Sequence, residues 1–173
     1  SFPTRRSSDL ETAESLAAIY GQNIEKARIA GLVHDCAKNN TDEQLIKVAM
    51  DHKIEIGEVY MQNPSMLHGL VGSIISREVM EISDEDILNA IRYHTTGRKN
   101  MSTLEKIIYI ADYIEPLRKF NGVEELRILS RKDLDEAVIM SLENTIKYVI
   151  NQKQLLHIAT IDARNYLLSK HSR

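Results

Sequence analysis

Residues 30–38 read AGLVHDCAK and set His34 and Asp35 side by side at the end of an apolar stretch with helical spacing. Burying an imidazole next to a carboxylate costs free energy unless a partner compensates both groups, and a bound cation is a common compensation. The dipeptide alone is a weak indication, because in a chain with six histidines an adjacent aspartate arises by chance about one time in three. Three further residues of ligand type strengthen it: His68, His94 and Asp112.

Composition places the chain among globular proteins of one domain. Its 173 residues, 43% hydrophobic and 27% charged, suffice for a buried core without disulfides or metals as staples. A net charge of −3 gives no general reason to expect a nucleic-acid surface. The single cysteine, Cys36, excludes an internal disulfide and suits a reducing compartment, so we expect a cytoplasmic protein. No apolar run is long enough to cross a bilayer, and we expect no membrane contact.

The sequence predicts an all-α fold. Apolar residues recur at helical spacing, and strand-like alternation bounded by turns is absent. Capping residues mark several helix starts, with capping boxes at Thr41 and Ser102 and an N-cap at Asp9 or Ser8. The predicted helices cover about residues 9–20, 23–35, 41–53, 64–80, 83–94, 102–116, 132–151 and 160–169.

The ligand-type residues lie on different predicted helices. Asp112 shares a helix face with Ile108 and should point to the core, where a carboxylate is paired, protonated or bound to metal. For Asp112 taken alone, a salt bridge to a buried Arg or Lys is about as well supported as a metal site. A lone histidine, likewise, is more often an ordinary core or surface residue than a metal ligand. Together these residues can converge, because helical bundles build metal sites from facing helices.

His-Asp on one helix, followed by more histidines and a later aspartate, resembles the HD-domain superfamily of metal-dependent phosphohydrolases. Further stretches narrow the resemblance to the YqeK family: RYHTTGR (92–98), LEKI (104–107), ADYIEP (111–116) and TIDARNYLL (160–168). It covers about residues 11–170. It implies an HD/PDEase-like helical bundle and an enzyme that cleaves dinucleoside tetraphosphates symmetrically, diadenosine tetraphosphate giving two ADP through a metal-activated water.

The resemblance implies a dinuclear metal centre, commonly of iron, with manganese or zinc as alternatives. His34 and Asp35 would be ligands, and Asp35, the central catalytic residue, would bridge the two metals. His68 and His94 would bind one metal and Asp112 the other. Imidazole and carboxylate ligands suit these metals better than magnesium.

Phosphate recognition is expected from residues near these ligands. Without the resemblance, a solvated surface cation is the favoured interpretation of each Lys or Arg, about two to one. With it, Lys38 is expected to act in catalysis and substrate binding, and Arg98 is expected to bind phosphate. Glu115 either orients Arg98 or a metal ligand, or is a helix-end charge. The residues expected to contact substrate are Lys38, Thr95, Thr96, Gly97, Arg98 and Arg118.

The N-terminal decapeptide SFPTRRSSDL departs from the family pattern. The family has a further ligand histidine on the first helix, near position 5, where this chain has Arg5. We interpret residues 1–10 as a non-native or artefactual segment, and 11–173 as the HD domain. We therefore expect the metal served by Asp35, His68 and His94 to be held better than the other, with reduced metal occupancy and low activity.

Several alternatives stay open at this stage. An HD site could act on nucleoside triphosphates, alarmones or cyclic nucleotides. The missing histidine also allows a nucleotide-binding regulator without catalysis, and a plain helical interaction module would require every ligand-type residue to be structural. The expected partner is a small dinucleotide and not a nucleic acid, and the sequence leaves both a monomer and a homodimer open.

Overall fold

The computed structural model describes the backbone of residues 5–171 and the side chains of residues 9–171. Within that range every regular element is helical, which confirms the all-α prediction. The helices are α1 (Arg5–Ile19), α2 (Ile24–Val33), α3 (Asp42–Asp51), α4 (Glu58–Gln62), α5 (His68–Glu78), α6 (Glu85–Tyr93), α7 (Thr103–Tyr113), α8 (Val123–Ser130), α9 (Leu134–Asn151) and α10 (Ile158–His171), with a short 3-10 helix at Pro64–Leu67. In the described part of the chain, no helix is both long enough and apolar enough to span a bilayer.

Capping side chains fix the starts of the helices that lead to the ligand-type residues. Asn23 accepts a hydrogen bond from the backbone of α2, and Asp84 does the same for α6. Thr41 and Ser102 each form a complete capping box, at α3 and α7. Each cap satisfies backbone N–H groups that would otherwise lack partners, and the positions confirm those starts.

The structure corrects three features of the predicted helices. The first helix begins at Arg5, so Asp9 lies inside it and is buried, and its prediction as an N-cap was wrong. Helix α4 lies within the predicted loop 57–64, and α8 lies in a stretch with no predicted element. Both are at most eight residues long, too short to show a clear apolar period.

Two apolar clusters frame the site. The larger is built from α1, α2, α6, α7, α8, α9 and α10, and the smaller lies beneath α3 and α5. Helices α5 and α6 pack closely because of Gly69, where an added Cβ would lie 2.9 Å from the carbonyl oxygen of Arg92. This close approach joins the smaller cluster to the larger one and brings the two helices that carry His68 and His94 together.

Candidate metal centre

Three histidines are oriented by their own backbone. In His34, His68 and His94, Nδ1 lies 2.8, 2.7 and 2.7 Å from the carbonyl oxygen three residues earlier. A carbonyl oxygen only accepts hydrogen bonds, so each Nδ1 carries the proton and donates. In the neutral imidazole Nε2 is then the atom with the lone pair, the form in which histidine binds a metal.

One set of ligand atoms gathers around His68, His94 and Asp35. The two Nε2 atoms are 3.1 Å apart, and Asp35 Oδ1 lies 3.3 Å from His68 Nε2 and 3.4 Å from His94 Nε2. Two ligand atoms that are each about 2.1 Å from one metal are separated by about 3 to 4 Å. These separations therefore suit a single cation.

A second set surrounds His34. Its Nε2 lies 3.8 Å from Asp9 Oδ2, 3.8 Å from Asp112 Oδ1 and 3.6 Å from Asp35 Oδ2. Asp9, His34 and Asp112 offer ligand atoms that all lie within 4.8 Å of one another. Asp35 thus turns one carboxylate oxygen towards each set, which is the geometry of a ligand shared by two cations.

Burial makes these groups costly without a cation. His34 and His94 are only 2% and 3% exposed. Among the residues that the structure describes, His34 Nε2 and Asp35 Oδ1 are buried and make no hydrogen bond. Buried polar atoms normally have partners, and a donor set of imidazole nitrogens and carboxylate oxygens fits a transition-metal ion.

The surrounding charges keep the carboxylates ionised. Burial alone would raise the pKa of Asp35, but His68, His94, His34 and Lys38 hold it well below the usual value for aspartate. The pKa of Asp112 is also lowered, because His34, His94 and Arg118 outweigh the effect of burial. Both side chains therefore offer charged oxygens, the form that binds metal.

Two basic side chains contact these carboxylates. Lys38 Nζ lies 2.6 Å from Asp35 Oδ2, and Arg118 Nη2 lies 3.4 Å from each carboxylate oxygen of Asp112. Both side chains are partly exposed and can meet a ligand from solvent. Arg127 of α8 holds the loop that carries Arg118, since its guanidinium donates to the carbonyl oxygens of Ile114, Glu115 and Arg118.

The structure divides the other residues expected to contact substrate. Thr95 lines a cavity of about 250 Å³ between α4, α9 and the start of α10. Thr96 and Gly97 are buried: the Thr96 hydroxyl donates to the Gly97 carbonyl, and a Cβ at Gly97 would lie 3.2 Å from the Ala163 Cβ. In this structure they pack the loop against α10, and their contact with substrate stays a prediction.

Arg98 pairs with Glu105, which belongs both to the capping box at Ser102 and to the LEKI stretch of the resemblance. Its Nε and Nη2 donate to both carboxylate oxygens of Glu105, at 2.7 and 2.6 Å, and its guanidinium carbon lies 4.6 Å from the Tyr93 ring centroid. Arg98 is therefore held by Glu105 and Tyr93 in this structure, and its contact with substrate stays a prediction. Glu115 lies 3.8 Å from Arg118.

Asp9 is the ligand-type residue of the site that the sequence interpretation missed. It lies four residues after position 5 on α1, and residues four apart on a helix share a face. The spacing from the expected histidine position was the available signal. It was overlooked because residues 1–10 had been set aside as foreign.

The comparisons with known proteins agree with this geometry. The HD domain family matches residues 10–117. Proteins named symmetrical bis(5'-nucleosyl)-tetraphosphatase are 43% identical in Halalkalibacterium halodurans, over 92% of this chain and 84% of the relative, and 40% identical in Bacillus subtilis, over 92% and 86%. This chain belongs to the YqeK family of HD-domain proteins.

A solved structure of the same fold supports the same conclusion. The crystal structure of a predicted HD superfamily hydrolase involved in NAD metabolism, from Clostridium acetobutylicum, superposes with a TM-score of 0.93 at 54% identity. The match covers 96% of this chain and 88% of that chain. It confirms the HD-type helical bundle for nearly the whole sequence, including α8 to α10, which lie beyond the matched HD segment.

Proposed function

We propose that this protein is a metal-dependent hydrolase that cleaves dinucleoside tetraphosphates symmetrically, diadenosine tetraphosphate giving two molecules of ADP. The observation that carries the proposal is the pair of ligand sets joined by Asp35, in a chain at least 40% identical to two symmetrical bis(5'-nucleosyl)-tetraphosphatases over most of its length. HD-domain relatives of this kind supply the reaction class, and the site supplies the groups that the reaction needs.

The five ligand residues predicted from the sequence divide between two cations. His68 Nε2, His94 Nε2 and Asp35 Oδ1 would hold one, and His34 Nε2, Asp112 Oδ1 and Asp35 Oδ2 would hold the other. We propose iron as the resident metal, with manganese or zinc able to replace it, because the donors mix nitrogen and oxygen. A pair of cations held by these residues would lower the pKa of water and would neutralise charge that develops on the phosphoryl group.

The protein's own cations would position the phosphate chain. Lys38 contacts Asp35 and Arg118 contacts Asp112, so the two basic side chains can reach different phosphates of one substrate. The guanidinium of Arg118 can bind phosphate with two parallel hydrogen bonds, whereas Lys38 acts as a point charge. Each would exchange part of its contact with Asp112 or Asp35 for contact with substrate oxygens.

The bond changes of symmetrical cleavage are simple. The oxygen of water bonds to one of the two inner phosphorus atoms, and the bridging P–O bond between the two inner phosphates breaks. One ADP leaves with that bridging oxygen, and the other keeps the phosphorus that was attacked. Asp35 and Asp112 remain ionised throughout, in line with their lowered pKa values, and the proton released from water passes to solvent.

The substrate class also bears on where the protein acts. A dinucleotide of this kind is small and anionic, and Lys38 and Arg118 provide two cations for it rather than an extended basic surface. We propose that the protein acts in the cytoplasm, because a single cysteine suits a reducing compartment and because the proposed substrate is a soluble nucleotide.

Product analysis tests this function directly. Purified protein with Fe²⁺ or Mn²⁺ is incubated with diadenosine tetraphosphate, and the nucleotides are separated by chromatography. ADP as the only product supports the proposal, whereas ATP with AMP would exclude symmetrical cleavage. Parallel assays with nucleoside triphosphates and guanosine polyphosphates identify an HD hydrolase of different specificity.

A pair of histidine variants shows whether the site performs the reaction. His94→Gln removes a buried Nε2 from the centre, and kcat/KM should fall by about a hundredfold or more, because loss of a ligand should cost at least as much as loss of a group that supports one. His52→Gln is the matched control, since His52 lies on the surface and pairs with Glu78. Equal activity in the two variants would remove His94 from the site.

A further inference from the structure

Helix α1 brings a carboxylate into the second ligand set. Asp9 is 2% exposed, so its carboxylate lies inside the protein beside the other ligand-type groups. Its Oδ2 lies 3.8 Å from His34 Nε2, and Asp112 completes the set. From the YqeK resemblance a histidine is expected one turn earlier on this helix, where the chain has Arg5.

His34 Nε2 independently indicates that a ligand is bound here. The atom is buried, makes no hydrogen bond to any residue that the structure describes, and faces carboxylates on three sides. Its Nδ1 is already bound to the carbonyl oxygen of Gly31, so Nε2 is the ring atom left for another interaction. A nitrogen lone pair directed at carboxylate oxygens is unfavourable until a cation lies between them.

We propose that Asp9 is itself a metal ligand, one helical turn beyond the expected histidine, and that it completes the second metal site with His34 Nε2, Asp112 Oδ1 and the shared Asp35 Oδ2. This inference rests on the metal centre proposed above. It replaces the expectation of a poorly held second metal, since that expectation considered Arg5 and left Asp9 out.

The separation of 3.8 Å favours a shared metal over a direct contact. A charge-assisted hydrogen bond between an imidazole and a carboxylate would be about 2.7–2.9 Å long. Two ligands of one metal, each about 2.1 Å from it, are separated by about 3 to 4 Å depending on the angle between the bonds. The distance from Asp9 Oδ2 to His34 Nε2 falls in the second range.

The proposal makes the two metal sites chemically different. The site of His68 and His94 has two nitrogen donors and one oxygen donor, whereas the site of Asp9 has one nitrogen and three carboxylate oxygens. Imidazole suits zinc and iron, and carboxylate suits manganese and magnesium. We therefore expect Mn²⁺ to prefer the Asp9 site and Zn²⁺ to prefer the other.

A manganese titration tests the proposal. Metal-free protein is titrated with Mn²⁺, and free Mn²⁺ is measured by electron paramagnetic resonance. Wild type should bind two Mn²⁺ per chain and show the signal of a spin-coupled pair. In Asp9→Asn one affinity should be unchanged, the other weakened about tenfold or more, and the coupled signal lost at the same metal concentration.

The matched control is Glu14→Gln, which removes a negative charge from the same helix away from the site, where Glu14 pairs with Arg28. It should titrate like wild type. Asp9→Ala is the second variant, because alanine favours helix and leaves no polar group, and circular dichroism of both Asp9 variants confirms folding. Identical titration curves for wild type and both Asp9 variants would overturn the proposal, as would an equal loss in Glu14→Gln.

Hydrolysis assays on the same samples separate the two possible failures. If wild type binds two Mn²⁺ and Asp9→Asn binds one, but wild type does not cleave diadenosine tetraphosphate, the proposed function fails and the role of Asp9 stands. If wild type cleaves the substrate and Asp9→Asn keeps both affinities, only the role of Asp9 fails.

Discussion

Glu105 is a carboxylate buried to 1% exposure, and its charge is balanced by one residue, Arg98. The pair joins the loop after α6 to the first turn of α7, and Tyr93 stacks beneath the guanidinium. A buried ion is strongly destabilising when its partner is removed, whereas replacing both partners by apolar residues is often neutral. This asymmetry distinguishes a structural arginine from one that binds substrate.

Arg98→Leu should therefore lower stability more than it alters catalysis. We expect the free energy of unfolding to fall by about 2 kcal/mol, below the full cost of breaking a buried pair because Arg98 is about a third exposed. The double variant Arg98→Leu with Glu105→Leu should recover most of this loss, as measured by urea denaturation. A large increase in KM with unchanged stability would instead assign Arg98 to substrate binding.

The sequence predicted the candidate ligand residues because their chemistry is unusual for a core. His34, Asp35 and Asp112 stand out as polar groups on apolar helices, and the YqeK resemblance added their grouping. It could not show the burial of Thr96, because exposure of a loop residue depends on packing against a distant helix, here α10. Asp9 is absent from the predicted ligands because it lies in the segment interpreted as foreign and is interpreted as the cap of a helix that in fact begins earlier.

At the scale of the element, the contact of α5 with α6 sets the distance between His68 and His94. Gly69 lies against the backbone of α6, and an added Cβ would also lie 3.3 Å from His94 Nδ1. Gly72, on the same helix, has its nearest neighbours at 3.5 Å, an ordinary van der Waals distance. The two glycines are therefore a matched pair in which only one is required for close packing.

Gly69→Ala should separate the two helices and weaken metal binding. Carbonyl oxygens of the backbone cannot move aside as a side chain would, so we expect a loss of about 1–3 kcal/mol in stability and a lower affinity for the cation of His68 and His94. Gly72→Ala should be neutral or stabilising, because alanine favours helix more than glycine does. Thermal unfolding with and without metal gives both quantities, and an equal effect of the two substitutions would contradict this account.

The N-cap of α6, Asp84, stabilises the helix that positions His94, and its contribution depends on pH. Asp84 accepts hydrogen bonds from the first turn of the helix and pairs with Lys26, 2.7 Å away. The pKa of Asp84 is lowered, first because of the hydrogen bond from Lys26 and against the opposing effect of burial. A carboxyl whose pKa is lower when folded contributes stability above its unfolded pKa of about 3.9, and that contribution is lost as pH falls through the folded pKa.

Asp84→Ala should therefore cost about 1 kcal/mol at neutral pH through loss of the cap. Asp84→Ser keeps a capping oxygen but not the charge, so it should cost less. The difference in stability between wild type and Asp84→Ser should shrink as pH falls below about 4, as urea denaturation at a series of pH values would show. A difference that stays constant over this range would mean that the charge of Asp84 does not stabilise the fold.

Element prediction succeeded where local chemistry was explicit. Capping side chains at Asn23, Thr41 and Ser102 marked helix starts that the structure confirms. Helix α8 begins after Gly122, whose backbone is in the left-handed conformation and which offers no capping side chain. The sequence therefore carried no comparable signal for this helix. Its functional contribution, Arg127 bound to three carbonyl oxygens, depends on tertiary contacts and could not be predicted from local sequence.

At the scale of the whole molecule, the site joins helices that are far apart in the chain. The candidate ligands come from α1, the end of α2, α5, the end of α6 and α7, so the two cations would connect five helices. Periodicity predicts each helix but gives no distance between them. The convergence followed from the resemblance, and the atomic distances required the structure.

Removing metal should therefore destabilise the entire fold. A ligand that binds only the folded state stabilises it by about 2.7 kcal/mol at a concentration one hundred times its Kd, which for a chain of this size corresponds to a rise of about 5–10 °C in Tm. We expect Tm to be lowest in chelator and to rise with added Mn²⁺, because the cation satisfies His34 Nε2 and Asp35 Oδ1 together. Asp112→Asn removes one charged ligand and should keep the fold while showing a smaller rise, whereas His52→Gln should respond as wild type does. The same Tm in chelator and in Mn²⁺ would show that these helices are held together without metal. A full response in Asp112→Asn would show that Asp112 is not a ligand.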